Sequence, residues 1–168
     1  MRIVFYLLAL LLSFILLGVI IGFLLPKERM ERRVTTYKAS PKTVYEIVVN
    51  NTDFSYRSDL RNLQIIENDD ELEMWKEISK NGQEIIFKTV EKIPYSRYEF
   101  EIVEANGVKG NWIGEFNITE SGGTDFISTE KICIENPVIR LLSNLFFDLE
   151  KFMETYQKDL AKKLKEGD

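Results

Sequence analysis

The sequence predicts an α+β protein in which a curved antiparallel β-sheet wraps around one long C-terminal helix, preceded by an N-terminal transmembrane helix. Three observations lead to this fold class. An uncharged apolar run opens the chain, alternating apolar and polar residues fill its middle, and apolar residues at helical spacing close it. A sheet of this kind needs one face covered, and the C-terminal helix is the predicted element large enough to cover it.

The apolar run from Ile3 to Leu25 contains no charged residue. As a helix it would be ~34 Å long at 1.5 Å per residue, enough to cross a hydrocarbon core. A cleaved signal peptide is the alternative, but its apolar region would be shorter and would end in small residues. Here the run ends in Phe23-Leu24-Leu25-Pro26. We therefore expect residues 1–26 to be a retained anchor that contacts the membrane through residues 3–25.

The distribution of basic residues predicts the orientation of this single-pass anchor. Four basic residues follow the run closely, whereas Arg2 alone precedes it. The positive-inside rule therefore favours a cytoplasmic location for the C-terminal domain. Residues 27–31 are expected to be a short charged linker, and residues 32–168 to form one soluble domain.

Turn signals divide this domain into its elements. Ser40-Pro41 predicts the start of a short amphipathic helix, and a brief second helix or turn is expected near residues 51–57. Asn81-Gly82 and Asn106-Gly107 are hairpin signals within a meander of about six strands. A single helix is predicted from Asn136 to Lys165, with Asn136 as its N-cap.

The composition excludes several classes of function. The net charge of −5, from 22 basic and 27 acidic residues, disfavours sequence-independent nucleic-acid binding. The absence of histidine excludes His-based triads and His-metal sites. The single Cys133 forms neither an internal disulfide nor a zinc site alone, and we expect it to be a buried structural thiol. We therefore expect no metal and no cofactor.

Four stretches together resemble the START-like superfamily, also called SRPBCC or the Bet v 1-like helix-grip fold, and within it the polyketide cyclase/dehydrase-type proteins. The resemblance implies a helix-grip fold for nearly the whole soluble part, with an internal space between sheet and helix. It specifies fold better than function and implies no catalytic residue. The stretches are Tyr37–Glu46 with its Ala-Ser-Pro, Phe54–Leu60, Gly114-Glu115-Phe116 followed by Gly123-Thr124, and Glu135–Arg140 with its Asn-Pro-x-x-Arg.

In such a fold, inward aromatic and apolar residues either fill the core or line a ligand cavity. Alternation and helical spacing nominate twelve of them, although the faces of Phe87 and Phe126 are not fixed by alternation. The predicted lining residues are Met74, Phe87, Tyr98, Phe100, Trp112, Phe116, Phe126, Leu145, Phe146, Leu149, Phe152 and Met153.

Five polar residues also stand out. Lys76 and Glu130 occupy strand positions that point either inward or, through a bulge or an exposed register, outward. Asn111 and Tyr156 would bond either a ligand or the backbone. Arg140, one turn into the last helix, is expected to anchor the preceding loop rather than to bind an anion.

The function predicted from these observations is non-catalytic binding of a hydrophobic small molecule, such as a lipid, an isoprenoid or a quinone-like compound, by a membrane-anchored domain. One alternative is a cyclase or dehydratase, whose acid or base would be Asp, Glu, Lys, Tyr or Cys. The other is a scaffold with a filled core. A cavity of several hundred Å³ would favour binding, and isolated voids would favour the scaffold.

Overall fold

The computed structural model describes residues 2–69 and 73–166 and confirms an α+β, helix-grip-like architecture. A seven-stranded antiparallel sheet is accompanied by helices that follow it at the C-terminus. The elements are α1 (Arg2–Leu24), β1 (Glu28–Tyr37), α2 (Pro41–Val48), β2 (Leu60–Asn68), β3 (Glu73–Ser79), β4 (Glu84–Ile93), β5 (Arg97–Glu104), β6 (Val108–Ile118), β7 (Thr124–Ile134), α3 (Pro137–Phe146) and α4 (Leu149–Glu166).

The strands follow one another across the sheet in the order β1-β7-β6-β5-β4-β3-β2. Register shifts interrupt the β2–β3 and β4–β5 pairs, and such bulges bend strands and increase their twist. Asn106 and Gly107 both have positive φ, as the predicted Asn-Gly turn requires. Cys133, expected to be buried, is half-buried, because its neighbours Ile132 and Ile134 occupy the inward positions of β7.

Strand β1 begins within the segment expected to be a linker. Residues 28–31, expected to belong to a linker, pair with Glu130–Cys133 of β7 in an unbroken register. Their charges indicated a solvated connection, but an exposed strand face accommodates alternating charges equally well. Of the helix or turn expected near residues 51–57, the structure shows turns, which the Asn50 and Asp53 side chains stabilise.

The predicted C-terminal helix is broken into α3 and α4. Phe147 has extended backbone angles, and the carboxylate of Asp148 accepts a hydrogen bond from the Lys151 amide at 3.0 Å, as an N-cap does. The rings of Phe147 and Phe152 lie 5.7 Å apart, which matches a hydrophobic staple across that cap. Local capping therefore starts a second helix where the apolar spacing alone predicted continuity.

Helix α4 is held on the inner face of the sheet by apolar and polar contacts. Met153 and Leu160 are buried. The Gln157 amide donates to the Ser128 hydroxyl at 2.8 Å, and the Tyr37 hydroxyl donates to the Gln157 carbonyl at 3.1 Å. These bonds satisfy polar groups that burial would otherwise leave unpaired, so they fix the position of α4 against β1 and β7.

Helix α1 packs on α3 through its glycines. A Cβ atom added at Gly22 would lie 2.1 Å from the Pro137 carbonyl oxygen, and one at Gly18 would lie 3.4 Å from the Leu141 side chain. The spacing is Gly-x-x-x-Gly, which lets two helices approach closely within an apolar segment. The described helix Arg2–Leu24 is long and apolar enough to cross a membrane, and most of its side chains are exposed.

Arg140 joins the two helices to the sheet. It is 2% exposed, and its guanidinium donates to the carbonyl oxygens of Ile134 and Glu135 at 2.9 and 2.8 Å. The expected anchoring of the preceding loop is therefore confirmed. The same group also donates to the carbonyls of Gly22 and Leu25 at 3.0 and 3.1 Å, so it caps the C-terminal end of α1.

Candidate functional site: an aromatic cavity with a polar cluster

A cavity of about 690 Å³ lies between the inner face of the sheet and the C-terminal helices. The β2–β7 strands, the loop that follows α2, and helices α3 and α4 all contribute to its wall. Cavities of this size are typical of sites that enclose small molecules. The structure therefore lacks the filled interior that the scaffold alternative requires.

Seven of the twelve predicted residues line the cavity, namely Phe87, Tyr98, Phe100, Trp112, Phe146, Phe152 and Met153. The rings of the four strand residues, Phe87, Tyr98, Phe100 and Trp112, form a continuous wall along the inner face of the sheet. The Phe100 and Trp112 rings stack with centroids 5.0 Å apart, and the Trp75 and Phe87 rings stack at 5.5 Å. Ligand binding by these residues remains a prediction.

The other five predicted residues lie elsewhere. Phe116 and Phe126 are buried in the core beside the cavity, and Leu149 packs on Ile132 and Ile134. Leu145, near the end of α3, is 65% exposed and does not line the cavity.

Met74 is replaced in the cavity wall by its neighbour Trp75. On β3 the buried positions are Glu73, Trp75 and Ile78, so the face predicted for Met74 was wrong. Leu72, expected beside Met74, lies outside the described residues. Alternation gives two choices of face, and the structure shows the one that turns Trp75 and Glu77 toward the cavity. The Trp75 ring nitrogen donates to the Glu77 carboxylate at 3.2 Å, which gives this inward charge a partner.

A cluster of ionisable residues forms one part of the wall. The Arg57 guanidinium binds the Asp59 carboxylate through two hydrogen bonds of 3.0 and 2.8 Å and lies 3.4 Å from Glu77. It also stacks over the Tyr156 ring, 4.9 Å from its centroid. Burial opposes the charge of Arg57, but Glu77 and Asp59 outweigh burial and raise the pKa of Arg57 well above its ordinary value.

Glu130 faces the cavity next to this cluster. Burial in the apolar wall, and secondarily the charge of Glu77, raise its pKa to about 8 against the opposing effect of Arg57. Among the described residues its carboxyl makes no hydrogen bond or salt bridge. At neutral pH the group is therefore mainly a neutral acid, free to donate a proton or a hydrogen bond into the cavity.

Of the remaining polar candidates, Tyr156 of α4 lines the cavity, and two strand residues face away from it. Tyr156 lines the cavity together with Tyr56, and burial raises the pKa of both hydroxyls. Lys76 points outward and pairs with Glu84 at 3.1 Å, and the Asn111 amide donates to Glu99 at 3.1 Å. Neither of these two lines the cavity.

Sequence reasoning missed Arg57, Asp59 and Glu77. The Arg-x-Asp spacing places the first two side chains within reach of each other at the start of β2, and this was the available signal. The third partner comes from the adjacent strand, whose register the sequence does not determine. Within residues 2–69 and 73–166, no group of three or more Asp, Glu or Cys side chains is arranged to hold a metal ion.

Comparison with known proteins shows the fold. No family model matches the chain, and no curated protein matches it by sequence. Solved structures match it well. The Zhui aromatase/cyclase from a Streptomyces species has a TM-score of 0.67 at 10% identity, over 81% of this chain and 93% of that one.

Two further structures represent other branches of the same fold. Norcoclaurine synthase from Thalictrum flavum has a TM-score of 0.65 at 9% identity, over 82% of this chain and 86% of its own. A START superfamily protein from Mycobacterium smegmatis has a TM-score of 0.62 at 12% identity, over 83% and 99%. At these identities the likeness establishes a fold shared with SRPBCC and START-like proteins, as the sequence resemblance implied.

Proposed function

We propose that this chain is a membrane-anchored domain that binds a hydrophobic small molecule in its internal cavity without transforming it. The observation that carries the proposal is the cavity of about 690 Å³ with its wall of aromatic rings. Apolar surface of this extent left open inside a domain is costly unless a ligand covers it, because burial of apolar area is the main favourable contribution to folding. The structural neighbours include an aromatase/cyclase and a START superfamily protein, so they support the fold without choosing between binding and catalysis.

The polar cluster narrows the ligand class to an apolar molecule with a neutral oxygen at one end. Arg57 already has two carboxylate partners, so it offers no free cation for an anionic head group. Glu130 in its neutral form donates a hydrogen bond to a carbonyl or hydroxyl oxygen. A neutral lipid, an isoprenoid alcohol or a quinone-like compound fits this wall better than a free fatty-acid anion.

Helix α1 supplies the membrane anchor in this proposal. Its length and apolar composition suit a bilayer, and the basic residues after it favour a cytoplasmic domain. A tether of this kind keeps the cavity beside a source of apolar ligands. Protease treatment of intact cells should leave the domain uncut, and cleavage from outside would contradict the orientation.

Tryptophan fluorescence tests the binding proposal directly, because both tryptophans of the chain, Trp75 and Trp112, line the cavity. Methyl 9,10-dibromostearate is a neutral apolar probe whose bromine atoms quench tryptophan on contact. We expect saturable quenching of the full chain in detergent micelles. Val108→Phe, which enlarges a side chain in the wall, should weaken it, whereas Val90→Phe on the exposed face of β4 should not. Absent or unsaturable quenching would refute the proposal.

A second candidate function is favoured by Glu130 alone. A carboxylic acid held neutral in an apolar cavity is suited to general acid catalysis, as a cyclase or dehydratase would need. A linear poly-β-ketone thioester analogue tests this alternative. An enzyme would convert the analogue, and Glu130→Gln would lower the rate by about 10²–10⁴-fold while preserving quenching by the brominated ester. Quenching without turnover favours the binding function.

A further inference from the structure

Helix α3 contacts two parts of the molecule that the proposed function connects. One side of it packs on α1 through Pro137 and Leu141. Another side, through Ile139, Leu142 and Phe146, lines the cavity. The helix therefore lies where the anchor and the binding site meet, and its place is fixed on both sides.

The solvent-facing surface of α3 is apolar apart from Asn144. Its exposed apolar residues recur at helical spacing, so they form one stripe, and Phe146 is 81% exposed. The single charged side chain of the helix, Arg140, is buried and fully engaged by carbonyl oxygens. Exposed apolar stripes of this kind mark surfaces that meet a membrane or a partner. The stripe consists of Val138, Leu142, Leu145 and Phe146.

The position at which α3 packs along α1 indicates that the bilayer covers this stripe. Helix α3 packs against Gly18 and Gly22, and Gly18 precedes Leu24, the last residue of α1, by six positions. That separation is ~9 Å at 1.5 Å per residue. Interfacial helices bury their apolar faces about 5–10 Å into the headgroup and acyl boundary. With α1 in a bilayer, α3 therefore lies at the depth that suits its apolar stripe.

The rim of the cavity is apolar on one side and polar on another. Leu142, Phe146 and Phe147 are exposed and also line the cavity, and we call them the apolar edge. Elsewhere the exposed lining residues include Asn81 and Gln83, on the turn between β3 and β4, which suit contact with water.

We propose that α3 lies in the membrane–water interface and that the apolar edge opens into the bilayer, so that the ligand passes between membrane and cavity without crossing water. The inference rests on the proposed function, because it takes α1 as a transmembrane helix and the cavity as the ligand site. Arg29 of β1 supports the arrangement. It donates to the Phe147 carbonyl at 3.1 Å and to the Ser143 carbonyl at 3.5 Å, which holds the apolar edge in place.

A depth measurement tests the position of α3. In the full chain carrying Cys133→Ser, a bimane label on Leu145→Cys is compared with one on Val90→Cys in phosphatidylcholine vesicles. Both positions are exposed, and neither lines the cavity. We expect nitroxide-labelled lipid to quench the Leu145 label and aqueous iodide to quench the Val90 label. Equal accessibility of both labels to iodide would overturn the inference.

A rate measurement tests the path of the ligand. Methyl 9,10-dibromostearate is added to vesicles that contain the full chain, and tryptophan quenching is followed in time. Leu145→Glu places a charge on the stripe outside the cavity and should slow quenching several-fold, with unchanged quenching at equilibrium in micelles. Val90→Glu should affect neither measurement. Equal rates for wild type and Leu145→Glu would refute the membrane path, whereas absence of quenching in both media would refute the binding function itself.

Discussion

At the scale of single residues, the chemistry of the cavity depends on how a few charges are partnered. Arg57, Asp59 and Glu77 neutralise one another in part, whereas Glu130 lies beside them without a bonded partner among the described residues. The sequence showed Glu130 as a strand residue of undecided face. Its environment depends on residues from two other parts of the chain, residues 57–59 and Glu77, which no local pattern reveals.

The raised pKa of Glu130 predicts a pH-dependent stability. Between the ordinary value of 4.5 and about 8, the folded state retains a proton that the unfolded state releases. Stability should therefore fall as the pH rises through this window, and Glu130→Gln should remove that part of the fall. Thermal unfolding of the full chain in micelles at pH 5 and pH 9 measures it. Glu101→Gln, on the exposed face of β5, is the control and should unfold with the wild-type pH dependence.

Arg57 should matter more for stability than Arg97, although each pairs with two carboxylates. The Arg57 side chain is 12% exposed, so Arg57→Ala leaves carboxylates unpaired in the cavity wall. The cost of breaking a buried pair is about 3–5 kcal/mol. Arg97→Ala removes an outer, more exposed pair, for which about 0–1 kcal/mol is typical. Denaturant unfolding compares the two variants, and equal losses would contradict the importance of burial.

At the scale of elements, the pattern of apolar residues predicted the strands well and the last helix incompletely. Spacings of three and four continue from Leu145 through Leu149 and Phe152, so periodicity alone cannot reveal the break. The local signal for the break was Asp148, an N-cap residue that lies between Phe147 and Phe152 at the spacing of a hydrophobic staple. The charges of residues 28–31 are compatible with a linker and with an exposed strand face, so the sequence alone does not locate the start of β1.

The packing of α1 on α3 predicts different effects for two similar substitutions. Gly22→Ala would place a methyl group against the Pro137 carbonyl, a backbone atom, at a distance that requires the helices to separate. Gly18→Ala meets only the flexible Leu141 side chain at an ordinary contact distance. In micelles we expect proteolysis within α3 to become faster in Gly22→Ala and to remain at the wild-type rate in Gly18→Ala. Identical cleavage rates would contradict the observed contact.

At the scale of the whole molecule, the sequence supported the fold class, because alternation, turn glycines and the Asn136-Pro137 helix start act independently and agree. The site was predicted less completely. Inward-facing residues such as Phe116 and Phe126 fill the core, whereas Phe100 and Trp112 line open space. That distinction depends on where α3 and α4 lie over the sheet, and therefore on the helix break.

Helix α1 should contribute to the stability of the domain that follows it. Deleting residues 1–25 removes two of the carbonyl acceptors of the buried Arg140 and uncovers the side of α3 that packs on α1. We expect the truncated chain to unfold at a lower temperature than the full chain in the same micelles. Deleting residues 2–11, which precede the contact with α3, is the matched control and should change the unfolding temperature little.

The connection between α1 and β1 is only residues 25–27, a reach of at most ~11 Å even when extended. Arg140 restricts the movement of α1 relative to the sheet further, because it donates hydrogen bonds both to the end of α1 and to the end of β7. With α1 in a bilayer, such a domain neither swings outward nor samples a second membrane. Under the proposed function, such a domain would exchange its ligand with the leaflet beside it, and delivery elsewhere would require the acceptor to contact the same surface.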